Sequence, residues 1–331
     1  MREFAGHIVF EEGGIVQTDS ANRDPVATSL IHASLVEKGL GGLPERQPVE
    51  TLHERMSQWL LQTGPSQREE AGLAISVPPS DVHFVPGKYG IYYDFKNTDQ
   101  VVDALQSAGV ALAGRVLDFG CSSGRNLAVL TRAFGPELVL YGVDPAASSI
   151  EWAKANVDGV SFDCNHQWPP LPFPDDHFDI IIAKSVWTHF GPEAAVAWFA
   201  EMERVLTPGG HLLFSSHGPH DIASRIAHNN PAPRYERFAG NAAWTRDTFL
   251  ADAIAGLRAA QFYFQPYKEV GRQPDIKQIP DAEIAQWGLA FMLPEFVERA
   301  LPANMSIVAR SIGRTGNRHD LYVVRKAPLV G

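Results

Sequence analysis

Residues 116–126, with the sequence VLDFGCSSGRN, join an apolar strand to a helix through a glycine-containing turn. Gly120 and Gly124 let the backbone turn sharply and approach a ligand closely. The helix predicted from Leu127 to Phe134 follows, and the first turn of such a helix carries unpaired N–H groups. A strand, a tight turn and a helix in this order open a doubly wound α/β fold, which binds ligands at the carboxyl ends of its strands. This turn is therefore the first candidate for a ligand site.

Apolar strands alternate with helices on both sides of this turn. The predicted strands are 115–119, 138–143, 160–162, 178–183 and 211–215. The predicted helices are 101–108, 127–134, 150–155 and 194–206, the last of them ended by Pro208-Gly209-Gly210. Continuously apolar strands separated by helices indicate a parallel sheet that is covered on both faces. The sequence therefore predicts a doubly wound, mostly parallel α/β core at residues 96–218.

Three segments flank this core. Residues 1–95 contain helix-like patterns at 30–35 and 52–60 and are predicted to form an N-terminal helical lid or substrate segment. Residues 219–300 are rich in Pro, Asn and aromatic residues, and we expect an inserted lid with helices at 245–257 and 294–301. Residues 301–331 are predicted to complete the sheet with two strands, which are 305–312 and 320–326, joined by a turn at 313–317.

Charge and composition exclude several classes of function. Acidic residues outnumber basic ones, 38 to 28, and the resulting net charge of −10 repels the phosphate backbone of nucleic acids. The most apolar stretch, 180–187, is too short to cross a bilayer, and no signal peptide is visible. Cys121 and Cys164 form neither a disulfide framework nor a metal-ligand pair. We expect a cytoplasmic protein that binds neither nucleic acid nor membrane.

Acidic residues stand at the ends of the first three strands of the core. Asp144 suits a ribose diol, because a carboxylate accepts hydrogen bonds from both hydroxyl groups. Asp163 is placed to accept a hydrogen bond from an adenine amino group. Asp118 lies next to the glycine turn, where its charge would repel a pyrophosphate but bind an ammonium group. The turn also has the spacing G-x-x-x-G, and not the G-x-G-x-x-G of dinucleotide sites. A merely structural turn residue is the alternative interpretation of Asp118.

These motifs resemble those of the class I S-adenosylmethionine-dependent methyltransferases. The similarity follows the order of the family through 116–126, 142–145, 162–165, 171–181 and 204–212. Residues 319–326 also resemble the last, antiparallel strand of the family. The resemblance implies the class I methyltransferase fold with S-adenosyl-L-methionine as cofactor. Ser122 is a departure, since the family commonly has glycine in the middle of this turn.

By this resemblance, Asp118 and the turn hold the methionine part of the cofactor, and Asp144 binds the ribose. Asp163 and Cys164 flank the adenine, and Ser185 lies near the sulfonium. Tyr89 and the neighbouring tyrosines either close over the cofactor or pack between the N-terminal segment and the sheet. The residues expected to bind the cofactor are Tyr89, Asp118, Gly120, Cys121, Ser122, Gly124, Asn126, Asp144, Pro145, Asp163, Cys164 and Ser185.

Two histidines are candidates for a general base in methyl transfer. Such a base is needed only when the acceptor must lose a proton early, and histidine suits that task. His189 follows the fourth strand and ranks first, and His217 follows the fifth strand and ranks second. A hydrogen-bonded structural role is the alternative for each. The Asp-Asp-His sequence at 175–177 is interpreted as a turn, so we expect no metal site and metal-independent transfer.

The predicted function is methyl transfer to an O or N atom of a small molecule, such as a natural product or a sugar. Aromatic residues between 244 and 291 either line the acceptor pocket or pack a lid and a homodimer contact. Two alternatives stay open. One is an NAD-dependent oxidoreductase, which the glycine spacing and Asp118 disfavour. The other is a catalytically silent methyltransferase-like module that only binds a partner.

Overall fold

The structure of the 331-residue chain is a computed structural model. It describes residues 6–11, 14–19, 78–79, 82, 90–134, 137–221, 246–266, 284–311 and 319–329. Several sequence predictions lie outside the described residues, namely Tyr89, the helix-like patterns at 30–35 and 52–60, and the turn at 313–317.

The first described element is a hairpin of β1 (Gly6–Glu11) and β2 (Gly14–Asp19), which pair antiparallel. The sequence analysis predicted only helices in the N-terminal segment and missed this hairpin. Ile8-Val9 and Ile15-Val16 supply β-branched residues, which favour extended backbone.

The remaining elements alternate between helices and strands. In chain order they are α1 (Gly90–Ser107), β3 (Gly114–Phe119), α2 (Arg125–Phe134), β4 (Leu138–Asp144), α3 (Ala147–Asn156), β5 (Val160–Cys164), β6 (Phe178–Ala183), α4 (Pro192–Val205), β7 (Leu206–Ser216), α5 (Arg246–Ala260), β8 (Phe262–Pro266), a 3-10 turn (Ile284–Gln286), β9 (Gly288–Met292), α6 (Pro294–Ala300), β10 (Met305–Ser311) and β11 (Asp320–Lys326).

Seven strands form the central sheet in the order β10-β11-β7-β6-β3-β4-β5. Strands β3 to β7 are parallel, and β11 runs antiparallel between β7 and β10. The predicted doubly wound, mostly parallel sheet with a C-terminal antiparallel strand is confirmed. Because β11 runs the other way, its first residue, Asp320, pairs with Ser216 at the end of β7. The start of β11 therefore lies at the edge where the parallel strands end.

Apolar residues cover both faces of the sheet, as expected for buried parallel strands. Successive residues of a strand point to opposite faces, and β3 accordingly places Val116 on one face and Leu117 on the other. Helices α1, α2 and α3 pack on the face of Val116. Helix α4 packs on the face of Leu117 through Trp198 and Phe199, which are at most 1% exposed. Burying a side chain of this kind contributes about 1.5–3 kcal/mol, so these contacts fix the strand ends that carry the site.

The boundary between α4 and β7 differs from the prediction. The helix ends at Val205, and β7 begins at Leu206 instead of residue 211. Leu206 has an extended backbone and pairs with Phe178, and the register shifts before His211. This irregularity accommodates Pro208-Gly209-Gly210 within the strand, where the sequence analysis had expected the end of the helix.

Strands β8 and β9 form an antiparallel pair that the sequence analysis did not predict. Their aromatic side chains pack against the rest of the protein. Phe291 is fully buried, and the ring of Phe262 lies 4.4 Å from the ring of Phe296. These two aromatic residues are therefore interior packing residues, and the predicted lid and homodimer contact stay predictions. No helix among the described residues is both long and apolar enough to cross a membrane.

Candidate cofactor and acceptor site

Asp118 is a buried acid at the end of β3. The residue is 3% exposed, and its Oδ2 has no hydrogen-bond partner among the described residues. Burial raises the pKa of Asp118 to about 7; repulsion from Asp144 adds to the rise and Lys184 opposes it. An unpaired buried carboxylate is costly unless a cation joins it. Oδ2 of this buried acid is therefore available for a further hydrogen bond, which agrees with the predicted contact with an ammonium group.

The turn after β3 leaves no room for side chains at its two glycines. Gly120 has φ +79° and Gly124 has φ +72°, in the left-handed region that favours glycine. A Cβ at Gly120 would lie 2.5 Å from Val186, and one at Gly124 would lie 2.6 Å from the ring of Phe162. Ser122 also adopts a left-handed conformation, with φ +49°. The serine that departs from the family pattern thus keeps the backbone shape that glycine would give.

Asp144 at the end of β4 is oriented by two backbone N–H groups. Ser122 N donates to Oδ2 at 2.8 Å, and Ala146 N donates to Oδ1 at 2.9 Å. Each carboxylate oxygen has a further lone pair that can accept from a hydroxyl group. The carboxylate is thereby held in the orientation that a ribose diol requires, and it joins the turn after β3 to the end of β4.

The end of β5 places Asp163 and Cys164 next to this carboxylate. Val143 pairs with Asp163, and Asp144 pairs with Cys164. Both side chains are exposed, and Cys164 Sγ lies 3.6 Å from the carbonyl oxygen of Pro145. Asp163 accepts a hydrogen bond from Cys164 N at 2.9 Å. The structure therefore brings together the residues that were predicted to flank an adenine.

Cys121 and Asn126 make contacts with the protein itself. Cys121 is buried, and burial raises the pKa of its thiol, so it stays protonated. Asn126 Oδ1 accepts a hydrogen bond from Thr98 of α1 at 3.3 Å. Both residues lie in the predicted segment, and their visible contacts shape the turn and attach it to α1.

Helix α1 is attached to the site through two charged residues that the sequence analysis missed. Arg125 forms an ion pair of 2.5 Å with Asp94, and both side chains are buried. Lys184, directly after β6, donates to Asn97 at 2.6 Å and also bonds a second α1 side chain. Lys184 stands next to the predicted Ser185, and this position could have marked it as a site residue. Its hydrogen-bond partners in α1 could not be predicted, because they lie more than 80 residues away in the sequence.

His189 is bound to the backbone of β9. Its Nδ1 lies 2.9 Å from the carbonyl oxygen of Gly288, so Nδ1 carries the proton. The ring stacks on Trp287 at 5.6 Å, and burial lowers its pKa to about 4. His189 is therefore neutral at neutral pH.

His217 lies directly after β7 in a second cluster of polar side chains. Its Nδ1 is 3.3 Å from Oδ2 of Asp221, and its ring meets His319 edge to face at 4.5 Å. His319 Nδ1 lies 3.3 Å from Ser215 Oγ and 3.4 Å from Ser185 Oγ. Burial lowers the pKa of His319 well below its ordinary value. The cluster joins the ends of β6 and β7 to the start of β11.

Sequence reasoning missed Asp221 and His319. The spacing of four residues between His217 and Asp221 was a usable signal for the first. His319 could be found only by recognising that the antiparallel strand begins at the carboxyl edge of the sheet.

An open surface pocket lies away from these residues. It has a volume of about 410 Å³ and is lined by residues 109–111, 113–114, 179–180 and 207–211, at the opposite edge of the sheet. None of the predicted site residues lines it. Among the described residues, no three His, Cys, Asp or Glu side chains are grouped to hold a metal ion, and metal independence stays a prediction.

Comparison with known proteins agrees with this geometry. Residues 116–210 match the protein family described as "Methyltransferase domain". This segment is a methyltransferase domain, and the strand order agrees with the class I S-adenosylmethionine-dependent fold that the motifs predicted. The cofactor of the methyltransferase domain is S-adenosyl-L-methionine, and Asp118 and Asp144 fit its ammonium and ribose groups.

Relatives of the methyltransferase domain act on different substrates. The tRNA N(3)-cytidine methyltransferase METTL2 of Gallus gallus is 29% identical over 124 residues, which are 35% of this chain and 33% of that protein. The fatty-acid O-methyltransferase of Mycolicibacterium smegmatis is 33% identical over 107 residues, which are 32% of this chain and 38% of that protein. The chain thus spans little more than a third of the length of these relatives.

The chain can also be aligned with solved methyltransferases. CalS10 of Micromonospora echinaspora, an amino pentose methyltransferase with bound S-adenosylmethionine, is 20% identical. The alignment covers 71% of this chain and 92% of that one, with a TM-score of 0.42.

Proposed function

We propose that the protein transfers the methyl group of S-adenosylmethionine to an O or N atom of a small molecule, without a metal ion. The buried carboxylate of Asp118, whose Oδ2 has no hydrogen-bond partner among the described residues, carries the proposal together with the oriented carboxylate of Asp144. The first suits an ammonium group and the second a ribose diol, and a methionine joined to a nucleoside has both. A dinucleotide has a pyrophosphate in place of the ammonium, and Asp118 would repel it.

Asp118, the turn after β3 and Asp144 bind and orient the cofactor in this proposal. The bound cofactor supplies a methyl group on a positively charged sulfur. Ser185 and the histidine cluster lie at the same edge of the sheet, where they line the acceptor side. Holding donor and acceptor in line and excluding water accounts for much of the acceleration in such a displacement.

A small-molecule acceptor agrees with the charge of the chain. The net charge of −10 disfavours binding of nucleic acid. Among the relatives, the fatty-acid O-methyltransferase and the methyltransferase GfsG of Streptomyces halstedii, 31% identical over 141 residues, are compatible with a discrete acceptor. The resemblance to METTL2 makes tRNA the second acceptor to test. We propose that residues 1–95 and 219–300 contribute the acceptor pocket and that the protein acts in the cytoplasm.

Calorimetric titration of the purified chain with S-adenosylmethionine and with NADH tests the cofactor assignment. We expect binding of the first compound alone, and the Asp144→Ala variant should bind it more weakly. Binding of NADH alone would favour an oxidoreductase.

Transfer of a radiolabelled methyl group to phenols, amines, glycosides and total tRNA then tests the acceptor. Incorporation into the small molecules supports the proposal, and incorporation into tRNA alone contradicts it. Cofactor binding without transfer to any acceptor would favour a silent binding module.

A further inference from the structure

His217 and Asp221 form a buried pair at the carboxyl edge of the sheet. Their side chains are 7% and 1% exposed, and Nδ1 of His217 lies 3.3 Å from Oδ2 of Asp221. The contact is an ion pair without the alignment of a hydrogen bond. Catalytic contacts are often long in free enzymes and tighten when the substrate binds. This geometry is that of an imidazole oriented by a carboxylate.

The other two histidines of the site have different neighbours at Nδ1. His189 directs Nδ1 to the carbonyl oxygen of Gly288, and its pKa is lowered to about 4. Nδ1 of His319 contacts two serine hydroxyl groups, and its ring is kept neutral by burial. A carboxylate next to an imidazole stabilises the charged form that appears when the imidazole accepts a proton. The structure therefore favours His217 over His189 as the proton acceptor, which reverses the order predicted from the sequence.

We propose that His217 is the general base for a hydroxyl acceptor and that Asp221 positions it. This inference rests on the proposed methyl transfer and narrows its substrate class from O or N nucleophiles to alcohols or phenols. An uncharged amine already has a lone pair for attack, whereas a hydroxyl group is a weak nucleophile until it loses its proton. A buried His–Asp pair at the acceptor side therefore suits a hydroxyl acceptor better than an uncharged amine.

In the proposed step, the proton of the acceptor hydroxyl group moves to His217. Nδ1 of His217 faces Asp221, so Nε2 accepts the hydroxyl proton. The electron pair of the acceptor oxygen forms the new C–O bond, and the S–C bond breaks with its electrons remaining on sulfur. Asp221 stabilises the resulting imidazolium until His217 releases the proton to water. The fully buried ring of Phe291 lies 5.1 Å from that of His217 and keeps water away from one side of the imidazole.

The first test needs neither cofactor nor acceptor. Nitrogen-15 NMR of the full chain reports which imidazole nitrogen carries the proton, and variants of each histidine assign the signals. We expect the proton of neutral His217 on Nδ1, and we expect Asp221→Ala to abolish this preference. A proton on Nε2 of His217 in the wild-type chain would overturn the proposal.

The second test uses hydroxyl acceptors that differ in acidity. For an unactivated phenol, His217→Gln should lower kcat by about 10²–10⁴, the usual contribution of a general base. For an acidic nitrophenol, which is ionised in solution, the same variant should lose less than about tenfold, because no base is needed. Asp221→Asn should follow the same pattern with a smaller loss, and the Kd for S-adenosylmethionine should stay within about twofold in both variants.

His211→Gln is the matched control, since it makes the same substitution at the opposite edge of the sheet. An equal loss for both phenols in His217→Gln would indicate a structural role and overturn the proposal. Methylation of amines but of no hydroxyl acceptor by the wild-type chain would overturn it too, while the proposed methyl transfer would stand. Absence of cofactor binding in the wild-type chain would remove the proposed function itself.

Discussion

Replacing Asp118 by Asn should stabilise the cofactor-free protein and weaken cofactor binding at the same time. The two effects have one cause, which is the burial of a carboxylate whose Oδ2 has no hydrogen-bond partner among the described residues. In the free protein the charge is a cost, and in the complex it binds an ammonium group. If Asp118 served only to shape the turn, its replacement would lower both the stability of the free protein and the affinity for the cofactor.

The stability effect follows from the pKa. Burial raises the pKa of Asp118 from 3.8 to about 7, so the folded state holds a proton that the unfolded state releases. A raised carboxyl pKa destabilises the folded protein progressively as the pH rises from about 4 to about 7, and the penalty is complete above that. A rise of this size corresponds to about 4 kcal/mol, which is the upper limit of the gain expected for Asp118→Asn at pH 8. Near pH 4 the gain should vanish.

The binding effect has the opposite sign. Loss of a charge-assisted hydrogen bond costs about 1.5–3 kcal/mol, so the Kd for S-adenosylmethionine should rise about 10- to 100-fold. In the wild-type chain, only ionised Asp118 binds the ammonium group. Affinity should therefore fall about eightfold between pH 7.5 and pH 6, since the ionised fraction falls by that factor for a pKa of about 7. Asp118→Asn should bind with little dependence on pH in this range.

Urea denaturation at pH 4 and pH 8, with calorimetric titration at pH 6 and pH 7.5, measures both effects. Asp94→Asn is an informative comparison, because the acid it removes is buried against Arg125. Burial raises the pKa of Asp94 to about 7 as well, but this acid contacts Arg125, so the substitution leaves a buried guanidinium without its partner and should lower the free energy of unfolding. A loss of stability in Asp118→Asn at pH 8, or an unchanged Kd, would refute the assignment of Asp118 as the ammonium ligand.

Three further predictions concern the site. Asp144→Ala should raise the Kd for S-adenosylmethionine about 10- to 100-fold in calorimetry, since two hydroxyl contacts to a charged acceptor are lost; an unchanged Kd would exclude the ribose contact. Gly124→Ala should lower the free energy of unfolding in urea by about 1–3 kcal/mol, because φ is +72° and the added Cβ meets Phe162 at 2.6 Å; unchanged stability would show that the turn rearranges. Dialysis against EDTA should leave methyl transfer unchanged, and loss of activity that magnesium restores would contradict the metal-independent mechanism.

The cofactor half of the site was predictable from the sequence because each part of it is local. Asp118 and the glycine turn belong to one segment, and Asp144 ends the next strand. Parallel strands bring their carboxyl ends to one edge of the sheet, so the fold class alone places these segments side by side. The fold class predicts contact between these two segments, and the structure shows it as a hydrogen bond of 2.8 Å from Ser122 N to Asp144. The donor and the acceptor of that bond could not be predicted from the sequence.

The acceptor half was less predictable because long-range pairing builds it. His319 reaches the site only because β11 returns antiparallel beside β7. Likewise, the contact of His189 with Gly288 depends on β9, whose pairing with β8 has no local sequence signal. Histidines could be located from the sequence, but their partners could not, and the partners decide which of them accepts a proton.

This difference separates the determinants of cofactor binding from those of acceptor chemistry. The cofactor contacts lie at the ends of β3, β4 and β5, and the His–Asp pair follows β7, beside the start of β11. The match to the methyltransferase family ends at residue 210, before His217, Asp221 and His319. Similarity over residues 116–210 therefore supports the cofactor assignment but does not include His217, the proposed general base. Relatives named for tRNA and for fatty acids have different named substrates, which is consistent with this division. The chemistry of the acceptor must be inferred from the residues that follow it.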